Sequence, residues 1–165
     1  MDGLPLSPHL ATDLLVCAWA LALARVDIRE RRLPRKLTLP AYVIGTALLV
    51  AAVTTGGGAQ ALPQVAPALA GAIALRLVYA AARALSPGGA ALGRGDVTLS
   101  APLGGWLGWH GWEAWLLGAW SGFAISGLVA ATLLLTKRVG KHTPLPHGPP
   151  MLLGALLAAS ATHAA

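Results

Sequence analysis

Two aspartates, Asp27 and Asp96, stand at the ends of apolar segments. Asp27 directly follows residues 10–26, and Asp96 directly precedes residues 97–109. A carboxylate at the boundary of a membrane segment is energetically costly, so such a residue is a candidate for function. Two carboxylates that share one proton can hydrolyse a peptide bond, because the ionised one activates water while the protonated one polarises the carbonyl group. If the two segments pack together, the pair predicts aspartyl protease chemistry at a membrane surface.

Residue types alone also leave simpler roles open for both aspartates. Asp27 could form an ion pair with Arg31 one helical turn later, and Asp96 could cap the N-terminus of the helix that follows it. Gly93 and Gly95 flank Asp96, where they would allow a tight turn and the close approach of a substrate chain. The catalytic and the structural interpretations of the aspartates are equally supported at this point.

The elements that must position these residues are predicted to be membrane helices. Of the 165 residues 56% are hydrophobic and 11% are charged, whereas a soluble domain carries about 25% charged residues. The apolar residues form long runs rather than amphipathic stripes, as a lipid environment requires. The sequence therefore predicts an all-α, polytopic membrane helix bundle in which residues 1–165 form one integral membrane domain. The six predicted transmembrane segments are residues 10–26, 39–53, 62–85, 97–109, 112–135 and 150–161.

The basic residues orient this predicted bundle. The net charge is +6, but the cations lie at the first, third and fifth connections instead of on a solvated face that would bind nucleic acid. Cytoplasmic loops carry an excess of Lys and Arg, so we expect these connections inside the cell and both termini outside. Asp27 and Asp96 then share the cytoplasmic face. The basic residues concerned are Arg25, Arg29, Arg31, Arg32, Arg35, Lys36, Arg83, Arg94, Lys137, Arg138 and Lys141.

No residue pattern in the chain requires a cofactor. Cys17 is the single cysteine, which excludes a disulfide within the chain and a cysteine-based metal site. His142 and His147 lie near one predicted loop without neighbouring acids, and such a pair makes a poor metal site. We therefore expect neither a metal ion nor an organic cofactor.

Arg76 is the one basic residue predicted to lie inside an apolar segment and away from its ends. With Tyr79 and Arg83 it falls on one helical face, by the spacing i, i+3, i+7. Its guanidinium could extend to the cytoplasmic interface, or the polar stripe could face the bundle interior near the aspartates and contact a substrate. Asp13, near the outer end of the first segment, is expected to face water or lipid headgroups.

Three motifs resemble those of the type IV prepilin peptidases, which are membrane aspartyl proteases. Their sites pair an Asp near a basic-Ile-Pro-Asn loop with a G-x-G-D-x-K-L motif. Residues 27–35 read DIRERRLPR, residues 93–99 read GRGDVTL, and residues 144–150 read PLPHGPP, which resembles the Pro-Phe-Gly-Pro start of the family's last helix. The resemblance extends over residues 26–157 and implies that Asp27 and Asp96 are catalytic.

The resemblance also implies a substrate and a location. It implies an endopeptidase of the bacterial inner membrane that removes the basic leader of type IV prepilins or pseudopilins at the cytoplasmic face. The partners are then the substrate and the lipid bilayer, with the oligomeric state left open. The chain departs from the family at Thr98, where members have Lys, and at Arg35, where they have Asn. Thr98 therefore belongs to the expected substrate site. The replacement of the family's Lys by Thr at this position is expected to weaken substrate binding or to change the acidity of Asp96.

Two features separate this chain from the longer members of the family it resembles. Those members carry an additional loop with paired Cys-x-x-Cys motifs and methylate the new N-terminus. The chain has neither the cysteines nor the length, so it is similar to the short, peptidase-only members.

Two other functions fit the same residues. A related intramembrane protease would cut remnant signal peptides, although the short chain and the last motif favour a prepilin substrate. A small transporter or a non-catalytic membrane scaffold would use the aspartates as proton or cation sites. Removal of a prepilin leader separates the first interpretation from the others.

Overall fold

The computed structural model describes residues 8–30, 35–55, 62–86, 92–138, 145 and 147–163. Within these residues it contains six α-helices and no strand, which confirms the predicted all-α class. In chain order the helices are α1 (Pro8–Glu30), α2 (Arg35–Thr55), α3 (Leu62–Leu85), α4 (Arg94–Trp109), α5 (Trp112–Leu135) and α6 (Gly148–His163).

The helix ends differ from the predicted segments where polar residues begin. α3 and α5 coincide with the predictions, whereas the other four helices are longer by two to four residues at one or both ends. Hydropathy marks the part of a helix that lipid favours, but backbone hydrogen bonding continues through polar residues. As a result Asp27 lies within α1 and Asp96 within the first turn of α4, rather than in the connections.

The central helix of the bundle is α4, which packs against α2, α3, α5 and α6. Glycines let α3 and α4 approach each other backbone to backbone. A Cβ atom added to Gly104 would collide with the carbonyl oxygen of Gly71, and one added to Gly108 would collide with the carbonyl oxygen of Pro67. Small residues at such contacts are the usual means by which membrane helices pack closely. This contact sets the position of the helix that carries Asp96.

A second close contact joins α5 to α6. A Cβ atom on Gly154 would lie 2.5 Å from the backbone nitrogen of Gly122, and the Ser121 hydroxyl donates to the carbonyl oxygen of Gly154 at 3.1 Å. α6 also packs against both α1 and α4. It therefore connects the two helices that carry Asp27 and Asp96.

Large apolar side chains cover the outside of the described bundle. α3 and α5 are long and apolar enough to cross a membrane, and shorter apolar helical stretches are Thr38–Ala51 and Gly148–Thr162. Soluble monomers rarely expose large contiguous apolar patches, whereas a bilayer solvates them. Side chains that are at least 62% exposed include Leu15, Leu21, Val43, Leu77, Trp120 and Leu128.

The end of the bundle away from Asp27 contains a polar cluster that the sequence analysis did not predict. The Asp13 Oδ1 atom accepts a hydrogen bond from Trp106 Nε1 at 3.0 Å and lies 3.1 Å from Nε2 of His110. Asp13 does not face only water or headgroups, as expected, because two side chains near the end of α4 reach its carboxylate. The contact places the start of α1 beside the end of α4.

Candidate active site

Asp27 lies near the end of α1, with only 5% of its surface exposed. The backbone N–H of Gly148, the first residue of α6, donates a hydrogen bond to its carboxylate. Pro149 and Pro150 follow and have no N–H, so Gly148 supplies the free amide within this first turn. The positive end of the α6 dipole also attracts the anion. The Oδ2 atom of Asp27 is buried without a hydrogen-bond partner among the described residues, which leaves an oxygen available to a reactant.

Asp96 is 7% exposed and occupies the third position of α4. Its Oδ2 atom accepts a hydrogen bond from the backbone N–H of Gly93 at 2.9 Å. The structural alternative made Asp96 the N-cap residue of α4, but that position belongs to Gly93. Its carboxylate caps the helix from inside the first turn.

Gly93 provides space rather than an unusual backbone conformation. Its φ and ψ angles are −67° and 153°, which is extended backbone open to any residue. A Cβ atom at this position would lie 3.1 Å from Asp96 Oδ2. The expected tight glycine turn is absent at Gly93, and the glycine instead leaves room beside the carboxylate.

The two carboxylates interact, and both are hard to ionise. Burial raises the pKa of Asp96 to about 6; the Gly93 N–H opposes this shift, repulsion from Asp27 adds to it, and the Arg83 guanidinium opposes it. Burial also raises the pKa of Asp27, which lies beyond the apolar run, while the Gly148 N–H lowers it. Carboxylates that interact in this way titrate as a pair. The raised pKa values of both groups and their mutual repulsion favour a state in which at least one of the two carboxyl groups is protonated.

Arg83 contributes a positive charge to this end of the bundle from α3. Its guanidinium donates a hydrogen bond to the carbonyl oxygen of Leu92, the residue before Gly93. Its charge favours the ionised form of Asp96. The sequence analysis had used Arg83 for membrane orientation and as part of a polar stripe, so its action on Asp96 is new.

Arg76 and Thr98 belong to a hydrogen-bonded junction of α2, α3 and α4. Pro102 has no N–H, so the Thr98 carbonyl lacks its helical partner, and the Tyr42 hydroxyl donates to that carbonyl at 2.6 Å instead. The Arg76 Nη1 atom lies 3.3 Å from the same hydroxyl and 3.4 Å from the carbonyl oxygen of Val97. The Arg76 side chain therefore makes polar contacts with the helix that carries Asp96, although it is itself exposed.

The sequence analysis missed the part that His147 has in the structure. Its Nε2 atom lies 3.0 Å from the hydroxyl of Tyr79, and both rings pack against Phe123 with centroid separations of 5.6 and 4.9 Å. Burial lowers the pKa of His147 to about 4, so the imidazole is neutral at physiological pH. The available signal was its place directly before Gly148 in the third motif, but its partner is 68 residues away in the sequence.

Two expectations concern positions beyond the described residues, namely the ion pair of Asp27 with Arg31 and the surroundings of His142. In the part of the chain that is described, no group of three or more His, Cys, Asp or Glu side chains could hold a metal ion. The groups that act on the aspartates are two amides and a guanidinium. These donors suit a carboxylate that alternates between its charged and neutral forms.

Fold and site together define a helical membrane bundle with an interacting pair of buried carboxylates. The model of the type IV leader peptidase family matches residues 14–162, a range that includes both aspartates, and the chain belongs to this family. The match confirms the family inferred from the three motifs. Together with the exposed apolar helices, it also indicates that the chain lies in a membrane.

Curated relatives agree with this assignment. The chain is 40% identical over 153 residues to a prepilin leader peptidase/N-methyltransferase of Dickeya chrysanthemi, an alignment that covers 90% of this chain and 50% of that protein. It is 32% identical over 142 residues to the protein of the same name in Pectobacterium carotovorum, an alignment that covers 86% of this chain and 48% of that protein. It is 31% identical over 144 residues to the protein of the same name in Xanthomonas campestris pv. campestris, an alignment that covers 82% of this chain and 45% of that protein. The chain thus spans about half the length of the curated relatives it matches. No solved structure matches it.

Proposed function

We propose that this protein is a membrane aspartyl endopeptidase that removes the basic leader peptide of type IV prepilins or pseudopilins at the cytoplasmic face of the membrane. The observation that carries the proposal is the electrostatic interaction of two buried carboxylates, Asp27 and Asp96, at one end of the bundle. Family membership and the names of the relatives support the peptidase activity and the class of substrate.

The proposed mechanism uses the pair in its singly protonated state. Asp27, with an unpartnered oxygen and the Gly148 amide to stabilise its charge, accepts a proton from the attacking water. Asp96, whose pKa is raised to about 6, carries the shared proton and donates a hydrogen bond to the scissile carbonyl. When the tetrahedral intermediate collapses, the proton taken by Asp27 passes to the leaving amine. General acid–base catalysis of this kind typically contributes about 10²–10⁴-fold to the rate.

The remaining site residues are proposed to bind the substrate. Gly93 and Gly95 would let the extended leader pass close to Asp96, since they carry no side chain beside it. Thr98 lies near the start of α4, and Arg76 on α3 contacts the carbonyl oxygen of Val97 there, so both would contact the leader or lipid headgroups. The bilayer would present the substrate helix parallel to the helices of the enzyme, which reduces the entropy lost on binding.

The proposed location is the bacterial inner membrane, with several spans, a cytoplasmic active site and both termini outside. The support is the distribution of Lys and Arg, which in the sequence cluster at the first, third and fifth predicted connections, the first and third of which also hold Asp27 and Asp96.

The test is co-expression with a candidate prepilin, with leader removal scored as a gel shift. Asp27→Asn and Asp96→Asn are each expected to lower processing by at least about 10³-fold, while the double variant is no worse than either single one, because a pair that acts as a unit is lost with either member. Glu113→Gln, an exposed change in the first turn of α5, is the matched control and should process normally.

Wild-type processing by either aspartate variant would contradict the two-aspartate mechanism. The interpretation of the protein as a small transporter or a non-catalytic scaffold would then be favoured. Membrane insertion of each variant, measured by fractionation, shows that the loss of processing is not a loss of protein.

A further inference from the structure

The Tyr79 hydroxyl and the His147 imidazole join the middle of the bundle to the beginning of α6. Tyr79 is 1% exposed on α3, and its oxygen lies 3.0 Å from His147 Nε2. The carbonyl oxygen of His147 accepts a hydrogen bond from the N–H of Met151 at 3.1 Å. His147 is therefore the N-cap residue of α6, so its side chain determines where the first turn of that helix lies.

The same first turn holds Asp27. Gly148 directly follows His147, and its N–H donates to the Asp27 carboxylate. Pro149 and Pro150 provide no other amide in this turn. A displacement of the N-cap would therefore move the donor away from Asp27 without offering a replacement.

We propose that Tyr79 and His147 are positioning residues for Asp27, and that their hydrogen bond fixes the Gly148 amide against this carboxylate. The inference rests on the proposed function in one respect, since it takes Asp27 to be catalytic. Neither side chain needs to touch the substrate. Phe123 packs against both rings and keeps them in contact, which limits the rotation of either one.

The direction of the hydrogen bond depends on the tautomer of His147. A neutral imidazole with its proton on Nδ1 accepts at Nε2, and the phenol O–H donates to it. A glutamine side chain can place an amide oxygen near the position of Nε2, whereas an asparagine reaches only as far as Nδ1. His147→Gln and His147→Asn therefore form a matched pair that differs mainly in whether the hydrogen bond can be made.

The experiment measures prepilin cleavage by the purified full-length protein in detergent for Tyr79→Phe, His147→Asn and His147→Gln. Tyr79→Phe and His147→Asn are expected to lower kcat about tenfold with KM within twofold of wild type. His147→Gln is expected to retain at least half of the wild-type kcat. The double variant Tyr79→Phe/His147→Asn should be no slower than the slower single variant, because both changes remove one interaction.

A second measurement does not depend on cleavage. Amide hydrogen exchange of a peptide that covers residues 147–155 should be about tenfold faster in Tyr79→Phe and His147→Asn than in wild type, and unchanged in His147→Gln. Equal exchange in all variants would overturn the inference even if both aspartates prove catalytic. If the wild-type protein cleaves no prepilin, the proposed function fails, and the exchange data alone still decide whether this pair fixes the first turn of α6. A His147→Gln variant as defective as His147→Asn would also overturn it.

Discussion

At the level of single groups, four effects of opposite sign set the pKa of Asp96, and burial is the largest of them. Burial and the Asp27 carboxylate oppose its ionisation, while the Gly93 amide and the Arg83 guanidinium favour it. The outcome is a pKa that is raised from 3.8 to about 6. A general acid is most useful when its pKa lies near the operating pH. The three groups, Asp27, Gly93 and Arg83, are therefore each a means of adjusting the acidity of Asp96.

Arg83 is the most direct of these groups to change. Because its charge lowers the pKa of Asp96, Arg83→Gln should raise that pKa and keep the shared proton bound at higher pH. The alkaline limb of the profile of kcat/KM against pH is expected to move upward by about one unit. Arg83→Lys keeps the charge and serves as the control. An unchanged limb in Arg83→Gln would show that this cation does not act on the pair.

A second prediction at this scale concerns stability. The pKa of Asp96 rises from 3.8 to about 6 on folding, and this shift of roughly two units corresponds to about 2–3 kcal/mol. A raised pKa means that the charged form is disfavoured in the folded state, so stability is lost as pH rises through 6. Asp96→Asn should therefore have a higher Tm than wild type at pH 7.5, with the difference shrinking as pH falls from 6 to 4. A lower Tm for this variant at pH 7.5 would contradict the assigned cost of burying the charge.

Single residues also show how far the sequence can be interpreted on its own. Asp27 and Asp96 could be found because a carboxylate at the end of an apolar run is energetically costly, so its presence there points to a chemical role. Tyr79 and His147 could not be paired, since their contact depends on how α3 packs against α6. The partners of Asp13 on α4 were missed for the same reason, because they are brought to it only by the packing of two helices.

Helix packing depends on individual glycines that the sequence alone does not rank. Gly104 and Gly105 are adjacent in α4, but of the two only Gly104 lies so close to α3 that a Cβ atom would not fit. A Cβ atom at Gly104 would collide with the Gly71 carbonyl oxygen and lie 2.7 Å from Leu75 Cβ, whereas one at Gly105 would lie 3.5 Å from its nearest neighbours. Identical substitutions at the two positions should therefore have opposite effects.

Gly104→Ala is expected to destabilise the protein by about 1–3 kcal/mol because the backbones of α3 and α4 must separate. Gly105→Ala should be neutral or stabilising by up to about 1 kcal/mol, since alanine favours a helix more than glycine does. The measurement is Tm in detergent together with prepilin cleavage. A similar Tm for the two variants would argue against the close backbone contact of α3 and α4.

The helices themselves were largely predictable, and the places where prediction failed have a common cause. Apolar runs identify α3 and α5 fully, because these helices begin and end where hydropathy changes. The first turn of α4 was assigned to a loop, since Arg94 and Asp96 are polar and glycine is a poor helix former. The hydrogen bond from Tyr42 to the Thr98 carbonyl had no sequence signal except Pro102, which leaves that carbonyl without a partner.

For the molecule as a whole, contacts between helix ends determine which connections lie together. Asp27 at the end of α1 interacts with Asp96 at the start of α4, and Asp13 at the start of α1 bonds with Trp106 near the end of α4. The contacts define two ends of the bundle but not which of them faces the cytoplasm. Only the distribution of basic residues addresses that orientation, by the positive-inside rule. The two arguments are independent and can be tested separately.

Single cysteines placed in a Cys17→Ala background make that test, with a membrane-impermeant maleimide applied to intact cells and to inverted vesicles. The exposed positions Arg29 and Arg138 lie at the ends of α1 and α5, and exposed Glu113 lies at the start of α5. If the aspartates share a site, cysteines at Arg29 and Arg138 must label from one side and a cysteine at Glu113 from the other. The positive-inside rule adds that the shared side is the cytoplasm.

Labelling of Arg29 and Arg138 from opposite sides would contradict the packing of the bundle and with it the two-aspartate site, because two carboxylates on opposite membrane faces cannot share a proton. Labelling of both from outside would leave the site intact but reverse its orientation, and a basic leader on the cytoplasmic side of its substrate could then not reach it.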